Sequence, residues 1–207
     1  DSLHDDGESL LSGWTINLYR ALDAGGYEST PFRSTTTSSD SNTFGWYWFE
    51  HLLPGNYQIC EIPQIGWRQI YPINNGCHLI NLPNQSSGSF NADDPELPTY
   101  NFSNQQLAVV NVTKFSDLNG NGQQDGGESN LSNWTINLSG QTSVVTNVNG
   151  IASFANLIPG SYNLSENLQT GWRQTNIICD GDEGNDNDNS HQITLTAGQT
   201  LTCKIAN

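Results

Sequence analysis

The sequence has little positive charge. Its 207 residues hold six Lys and Arg against 21 Asp and Glu, a formal net charge of −15. Nucleic acids and anionic bilayers are bound through basic patches, so neither is an expected partner. Methionine is absent altogether. No apolar run is long enough to span a bilayer, so direct membrane insertion is not expected. No C-x-x-C pair occurs, which argues against zinc ribbons and thiol redox motifs. His4, His51, His78 and His191 share no ligand spacing. Nor is there an H-E-x-x-H run, a nucleophile elbow or a phosphate-binding glycine loop. With these signatures missing, the chain is not expected to be an enzyme. No stretch carries a convincing helical period.

What remains is Ser, Thr, Asn and Gly around a set of 20 aromatics, six Trp, seven Tyr and seven Phe. A polar, lysine-poor composition is common on secreted β proteins, and the aromatics suffice for two small cores, which disorder would not need. The four cysteines are Cys60, Cys77, Cys179 and Cys203. An even count in a secreted chain favours disulfides. Of the three connectivities that four cysteines allow, the internal repeat favours Cys60–Cys77 and Cys179–Cys203.

That repeat sets the organisation. Residues 7–18 read GESLLSGWTINL, and residues 127–138 read GESNLSNWTINL. Residues 53–69 read LPGNYQICEIPQIGWRQ, and residues 158–174 read IPGSYNLSENLQTGWRQ. The chain is two copies of one module, 1–106 and 107–207. WTINL alternates, putting Trp14, Ile16 and Leu18 on one face, and Trp134, Ile136 and Leu138 on the matching face. GWYWF and GIASF read as strands running into turns at Pro54-Gly55 and Pro159-Gly160. QITLTAGQTLTCKIAN reads as a closing hairpin turning at Ala197-Gly198. Short strands at this spacing predict an all-β sandwich in each module.

KFSDLNGNGQQDGGESNLSNWTINL, then GIASFANLIPGSYNLSE and GWRQT, resembles the SdrD-like or Cna-B-like B-type repeats of microbial surface adhesins. The resemblance implies two tandem prealbumin-type, Ig-like β-sandwiches. It also implies a non-enzymatic role as a spacer, stalk or filament subunit at the surface of a bacterium or archaeon. The expected partners are other copies of the chain, in a homopolymer, or further tandem modules. Module one departs from the pattern. Asp1 falls inside a motif and no initiating Met precedes it, so the chain reads as trimmed, and the counterpart of VVNVTKFSDLNG is missing. A sandwich without its first strand exposes a sheet edge, which a neighbour's strand could fill.

Asp117-x-Asn119-x-Asn121-Gly122-x5-Glu128 fits the calcium-loop template D-x-[DN]-x-[DN]-G-x5-E. Calcium wants six to eight hard oxygens. Asp117, Asn119, Asn121, the Gln123 carbonyl, Asp125 through water and a two-toothed Glu128 can supply them, and the resemblance also implies Ca2+ here. Module one keeps only Asp1, Asp5 and Glu8 of this loop. A second acidic run, Asp180, Asp182, Asp186 and Asp188, is a further cation candidate. Some Cna-B-type modules carry an internal Lys–Asn isopeptide bond, which by resemblance would join Lys114 to Asn207 with help from Glu166; SdrD-like repeats often lack it, and the alternative is an ordinary Lys114–Glu166 contact. Glu61 and Asn104 are the module-one equivalents, but the matching lysine is not in this chain.

Seven N-x-S/T sequons stand at Asn84, Asn101, Asn111, Asn130, Asn133, Asn137 and Asn163. In GWYWF, Tyr47 and Phe49 face the core in register with Phe154. Trp46 and Trp48 then face outward, as a subunit interface or as a sugar-stacking platform. A surface ligand or glycan bound by an adhesin module is the alternative to a purely structural role.

Overall fold

The computed structural model describes residues 8–73, 75–83, 88–91, 100–181 and 189–207. The chain divides into two compact units, Asp1–Gln105 and Gln106–Asn207, called here module one and module two. Among the described residues every regular element is a strand.

Module one contains β1 (Thr15–Arg20), β2 (Arg33–Thr36), β3 (Trp48–Leu52), β4 (Gly55–Glu61), β5 (Trp67–Tyr71), β6 (Cys77–Leu82), β7 (Gly88–Asn91) and β8 (Ser103–Gln106). β2, β1, β4 and β6 form an antiparallel sheet in that order, and β3 pairs with β7 and β5 with β8. Alternation builds the core. Ile16, Leu18, Tyr57, Ile59, Ile80 and Leu82 point inward from the larger sheet to meet Tyr47, Phe49 and Leu52.

Module two contains β9 (Ala108–Phe115), β10 (Thr135–Leu138), β11 (Val144–Val145), β12 (Ile151–Leu157), β13 (Gly160–Glu166), β14 (Asn176–Cys179), β15 (Ser190–Leu195) and β16 (Thr200–Ala206). One sheet runs β11-β10-β13-β15 and the other β12-β9-β16-β14. β9 and β16 pair in parallel over seven positions, from Val109↔Thr200 to Phe115↔Ala206.

The repeat extends to backbone detail. β3 bulges between Phe49 and Leu52, and β12 bulges between Phe154 and Leu157. The bulge holds His51 at φ 56° in one module and Asn156 at φ 58° in the other.

Two expectations need correction. QITLTAGQTLTCKIAN is not a hairpin: β15 pairs with β13, whereas β16 pairs with β9 and β14. The chain crosses between sheets at 196–199. Two strands facing each other across a core alternate just as two strands side by side do, so periodicity cannot separate the cases. The exposed edge expected on module one is covered on one side only, since β3 has a partner while among the described residues β8 pairs with β5 alone. β7 lies antiparallel to β3, with Phe90 opposite Phe49 and Gly88 opposite Leu52. In module two, Val110 lies opposite Phe154 and Ala108 opposite Leu157. β7 thus takes the register of the missing first strand.

Candidate functional site

Strands β9 and β13 and the residues flanking β10 and β16 bring side chains to one end of the core of module two. Along β9 the inward series is Ala108, Val110, Val112 and then Lys114. Along β13, Leu164 is followed by Glu166, and along β16, Leu201, Cys203 and Ile205 are followed by Asn207. Trp134 precedes β10. All four residues are buried, Lys114 completely. Lys114 Nζ lies 3.1 Å from Glu166 Oε2, donates to the Ile205 carbonyl at 3.4 Å, and sits 4.6 Å above the Trp134 ring. Burial lowers the Lys114 pKa to about 8 against the pull of Glu166. Burial likewise raises that of Glu166, against the opposing influence of Lys114. The Asn207 amide makes no well-formed hydrogen bond although both its polar atoms are buried. It still faces Glu166 closely enough to hold the carboxyl down slightly.

The loop 117–128 leaves β9 beside this cluster. Asp117 is buried and organises the turn. Its Oδ1 accepts the N–H groups of Gly120 and Asn121, and its Oδ2 accepts those of Gly122 and the Thr175 hydroxyl. Burial pushes its pKa up, but these bonds outweigh it and leave the carboxyl below its ordinary value. Gly122 has φ 76°, and a Cβ there would meet the Asn176 side chain at 3.0 Å, so this bend requires glycine. Asn176 Nδ2 also donates to the Gly122 carbonyl. Asn119 and Asn121 both donate amide N–H groups to Asp125 Oδ2, at 2.8 and 2.7 Å. Glu128 accepts from the backbone N–H of Leu118 and Asp125. The Gln123 N–H is held by Asn121 Oδ1.

The donors are all oxygens, and among the described residues no group of three or more His, Cys, Asp or Glu gathers at metal distance. The set suits a hard cation, which would take the place of the two amide dipoles now converging on Asp125.

The disulfides are Cys60–Cys77 and Cys179–Cys203. The first joins β4 to β6 and the second β14 to β16, so the two modules are stapled in different sheets. In module one, Asn104 Nδ2 donates to Glu61 Oε2 at 2.7 Å. Burial raises the Glu61 pKa to about 7. Tyr47 and Phe49 are buried, Trp46 is half-buried and Trp48 is 40% exposed. Asn130, Asn133 and Asn163 are exposed, and Asn101, Asn111 and Asn137 half-buried. Asn111 and Asn137 use their side chains to bond Ser153 and to bond Ser143 and Asn167. Glu8 and Asp180 are exposed. Asp1, Asp5, Asn84, Asp182, Asp186 and Asp188 lie outside the described residues.

Sequence reasoning missed Thr175, Asn176 and the cation role of Trp134. Thr175 lies 58 positions from Asp117, and no local spacing links them. Trp134 could have been found, since its strand and that of Lys114 face one core.

Residues 110–207 match the family model described as SdrD B-like domain. Colossin-A of Dictyostelium discoideum is 31% identical over 175 residues, which is 72% of this chain, and the chain spans 2% of that protein's length. Among solved structures, the minor pilin of Streptococcus agalactiae aligns at 13% identity and a TM-score of 0.36, covering 100% of this chain and 87% of that one. The shaft pilin of Lactobacillus rhamnosus GG aligns at 11% identity and a TM-score of 0.35, covering 97% and 87%. The stretch of this chain that is similar to the SdrD B-like domain, residues 110–207, lies within module two.

Proposed function

We propose that this chain is a load-bearing extracellular module pair of a surface stalk or filament, stiffened by Ca2+ and by covalent staples. The observation that carries this reading is the parallel β9–β16 pair. The segment enters module two at one end of β9 and leaves at the opposite end of β16. A pull on its two ends therefore shears all seven paired positions together rather than opening them one by one. Resistance to force is set by the unfolding barrier.

Calcium would be held by Asp117, Asn119, Asn121, the Gln123 carbonyl, Asp125 and Glu128. When bound it neutralises the loop's carboxylates and adds stability by mass action. Asp117 fixes the turn, Thr175 ties it to β14's approach, and Glu128 closes the loop on Leu118. The Lys114–Glu166–Asn207 cluster supports a second staple. The Lys114 amine is deprotonated readily at its lowered pKa and would add to Asn207 Cγ. The C–N bond forms, Cγ–Nδ2 breaks and ammonia leaves, with Glu166 passing the proton between the two nitrogens. The product ties β9 to the end of β16. Intact mass tests this directly: the chain should weigh one ammonia less than its disulfide-bonded sequence, and Lys114→Arg should restore that mass.

Polymeric or tandem assembly follows from the same role, with strand donation at module one as the joint. A contact reading is favoured by the 40% exposure of Trp48 beside half-buried Trp46. Glycan-array binding that disappears in Trp48→Ala would establish an adhesin role. Asn133 and Asn163 are the sequons best placed to carry glycans.

A further inference from the structure

The two disulfides face opposite ways. Along β4 the side chains of Tyr57, Ile59 and Glu61 turn into the core, and those of Gln58 and Cys60 turn out. Along β6, His78, Ile80 and Leu82 turn in, and Cys77 and Leu79 turn out. The Cys60–Cys77 bond therefore lies on the outer face of its sheet, with both residues half-buried. Cys179 and Cys203 point into the apolar core of module two and are 6% and 1% exposed. A disulfide is opened by a thiolate that reaches one of its sulfurs in line with the S–S axis, so access decides which bond and which sulfur react. The core of module two closes that approach to Cys179 and Cys203. In module one the two ends differ. The sheet order β2-β1-β4-β6 puts Cys60 on an inner strand and, among the described residues, Cys77 on the edge strand. The line of approach to Cys60 comes across β1, where Asn17 stands opposite it. Asn17 is buried, and its amide is bonded to Tyr19 and Ser34, so that side is closed. The line to Cys77 comes from the open edge. Cys77, and not Cys60, lines a cavity of about 390 Å3 together with Gln58, Tyr71, Ile73, Asn75 and Leu79.

We propose that Cys60–Cys77 is a thiol-exchange site at which a small thiol, lodged in this cavity, couples to Cys77, while Cys179–Cys203 is a permanent staple. The cavity is of a size that takes a small molecule rather than a folded thiol protein. Gln58 and Asn75 offer amide groups that hydrogen-bond a small polar thiol, and Tyr71, Ile73 and Leu79 offer apolar contact. The attacking thiolate forms a bond to Cys77 Sγ. The Sγ–Sγ bond breaks, and its electron pair leaves with Cys60, which takes a proton from water. The products are a mixed disulfide on Cys77 and a free thiol at Cys60. A second thiol attacking the small molecule's sulfur releases Cys77 and removes the small molecule as its own disulfide, so that two thiols are oxidised and one cystine is reduced. β6 stays on β4 through main-chain pairing that runs from Gly55↔Leu82 to Cys60↔Cys77, so the exchange modifies module one without unfolding it.

The test exposes the folded full chain to reduced glutathione at about pH 8, where the thiol is partly ionised, and quenches samples in acid at successive times. Peptide mapping by mass spectrometry should find glutathione on Cys77 and a free thiol at Cys60, with Cys179–Cys203 intact. The second disulfide should open at least about 100-fold more slowly, because module two must open first. Leu79 and Ile73 are 64% and 84% exposed, so a large ring at either position fills the cavity without disturbing the core. Leu79→Trp, and separately Ile73→Trp, should slow the adduct about tenfold or more by closing the approach to Cys77. Circular dichroism checks that each chain stays folded. Glutathione on Cys60 instead of Cys77, both disulfides opening together, or neither opening until circular dichroism shows unfolding would each overturn the proposal. So would Leu79→Trp and Ile73→Trp chains that both react at the wild-type rate.

Discussion

The two modules share a core pattern and differ in how the pattern is closed. Module two brings its first and last strands together in parallel and buries a lysine between Glu166 and Trp134. Module one has the matching acid, amide and tryptophan, but among the described residues its β3 edge is covered by the short β7 instead. The disulfides follow the same division. Module one is stapled between β4 and β6, in the sheet away from the irregular edge, and module two between β14 and β16, in the sheet that carries the clamp. One fold can thus place its reinforcement in either sheet.

The sharpest way to break this contrast is to remove the buried cation. Lys114→Ala leaves Glu166 buried without its partner and should cost module two about 3–5 kcal/mol, read by urea denaturation. Lys114→Met with Glu166→Leu should recover the part of that loss that comes from the unpaired Glu166, because an apolar pair of similar volume needs no compensation, and leave the part that comes from the Lys114–Asn207 staple. Module one should be untouched by either change.

The disulfides come next. Replacing Cys60 and Cys77 by Ala should lower the stability of module one by about 3 kcal/mol. Replacing Cys179 and Cys203 should lower that of module two by less if the Lys114–Asn207 bond already anchors β16 to β9 in the same sheet. Calorimetry with module-resolved transitions separates the two.

Glu61 gives module one a pH dependence. Its carboxyl titrates at about 7 in the folded chain against an ordinary 4.5. Below 4.5 both states hold the proton and nothing changes. Between 4.5 and about 7 the folded state binds the extra proton, so stability falls as pH rises, by at most about 3 kcal/mol. Glu61→Gln should flatten that fall in melting curves taken across the range.

Calcium should sharpen the comparison from the other side. At a free concentration a hundredfold above its dissociation constant it should add about 2.7 kcal/mol to module two. Asp117→Asn or a chelator should remove that gain and leave the melting of module one unchanged.

Much of this was legible in the alternation of residues. The cluster of Lys114, Glu166 and Asn207 entered through the resemblance to B-type repeats, and the alternation of AVVNVTKF, NYQICE and SYNLSE is consistent with the lysine and both acids facing inward. The loop template likewise picked out Asp117 and Glu128, which hold the turn by accepting backbone N–H groups close in sequence. What was not legible depends on contacts between distant strands. Thr175 reaches Asp117 only because β14 packs beside the loop. The crossing between β15 and β16 looks like a hairpin because both strands face the same core. β7 was unreadable because it takes its place through main-chain pairing with β3, in the register that β9 takes with β12.

The most direct measurement is single-molecule force spectroscopy on the full chain, held by its two ends, in calcium and in chelator. The account predicts that module one yields first. Module two should resist to much higher force, its resistance falling when calcium is removed, and should barely extend wherever the Lys114–Asn207 bond carries the load. If both modules yield at the same low force, with or without calcium, module two is not a mechanical clamp and the proposed role is wrong.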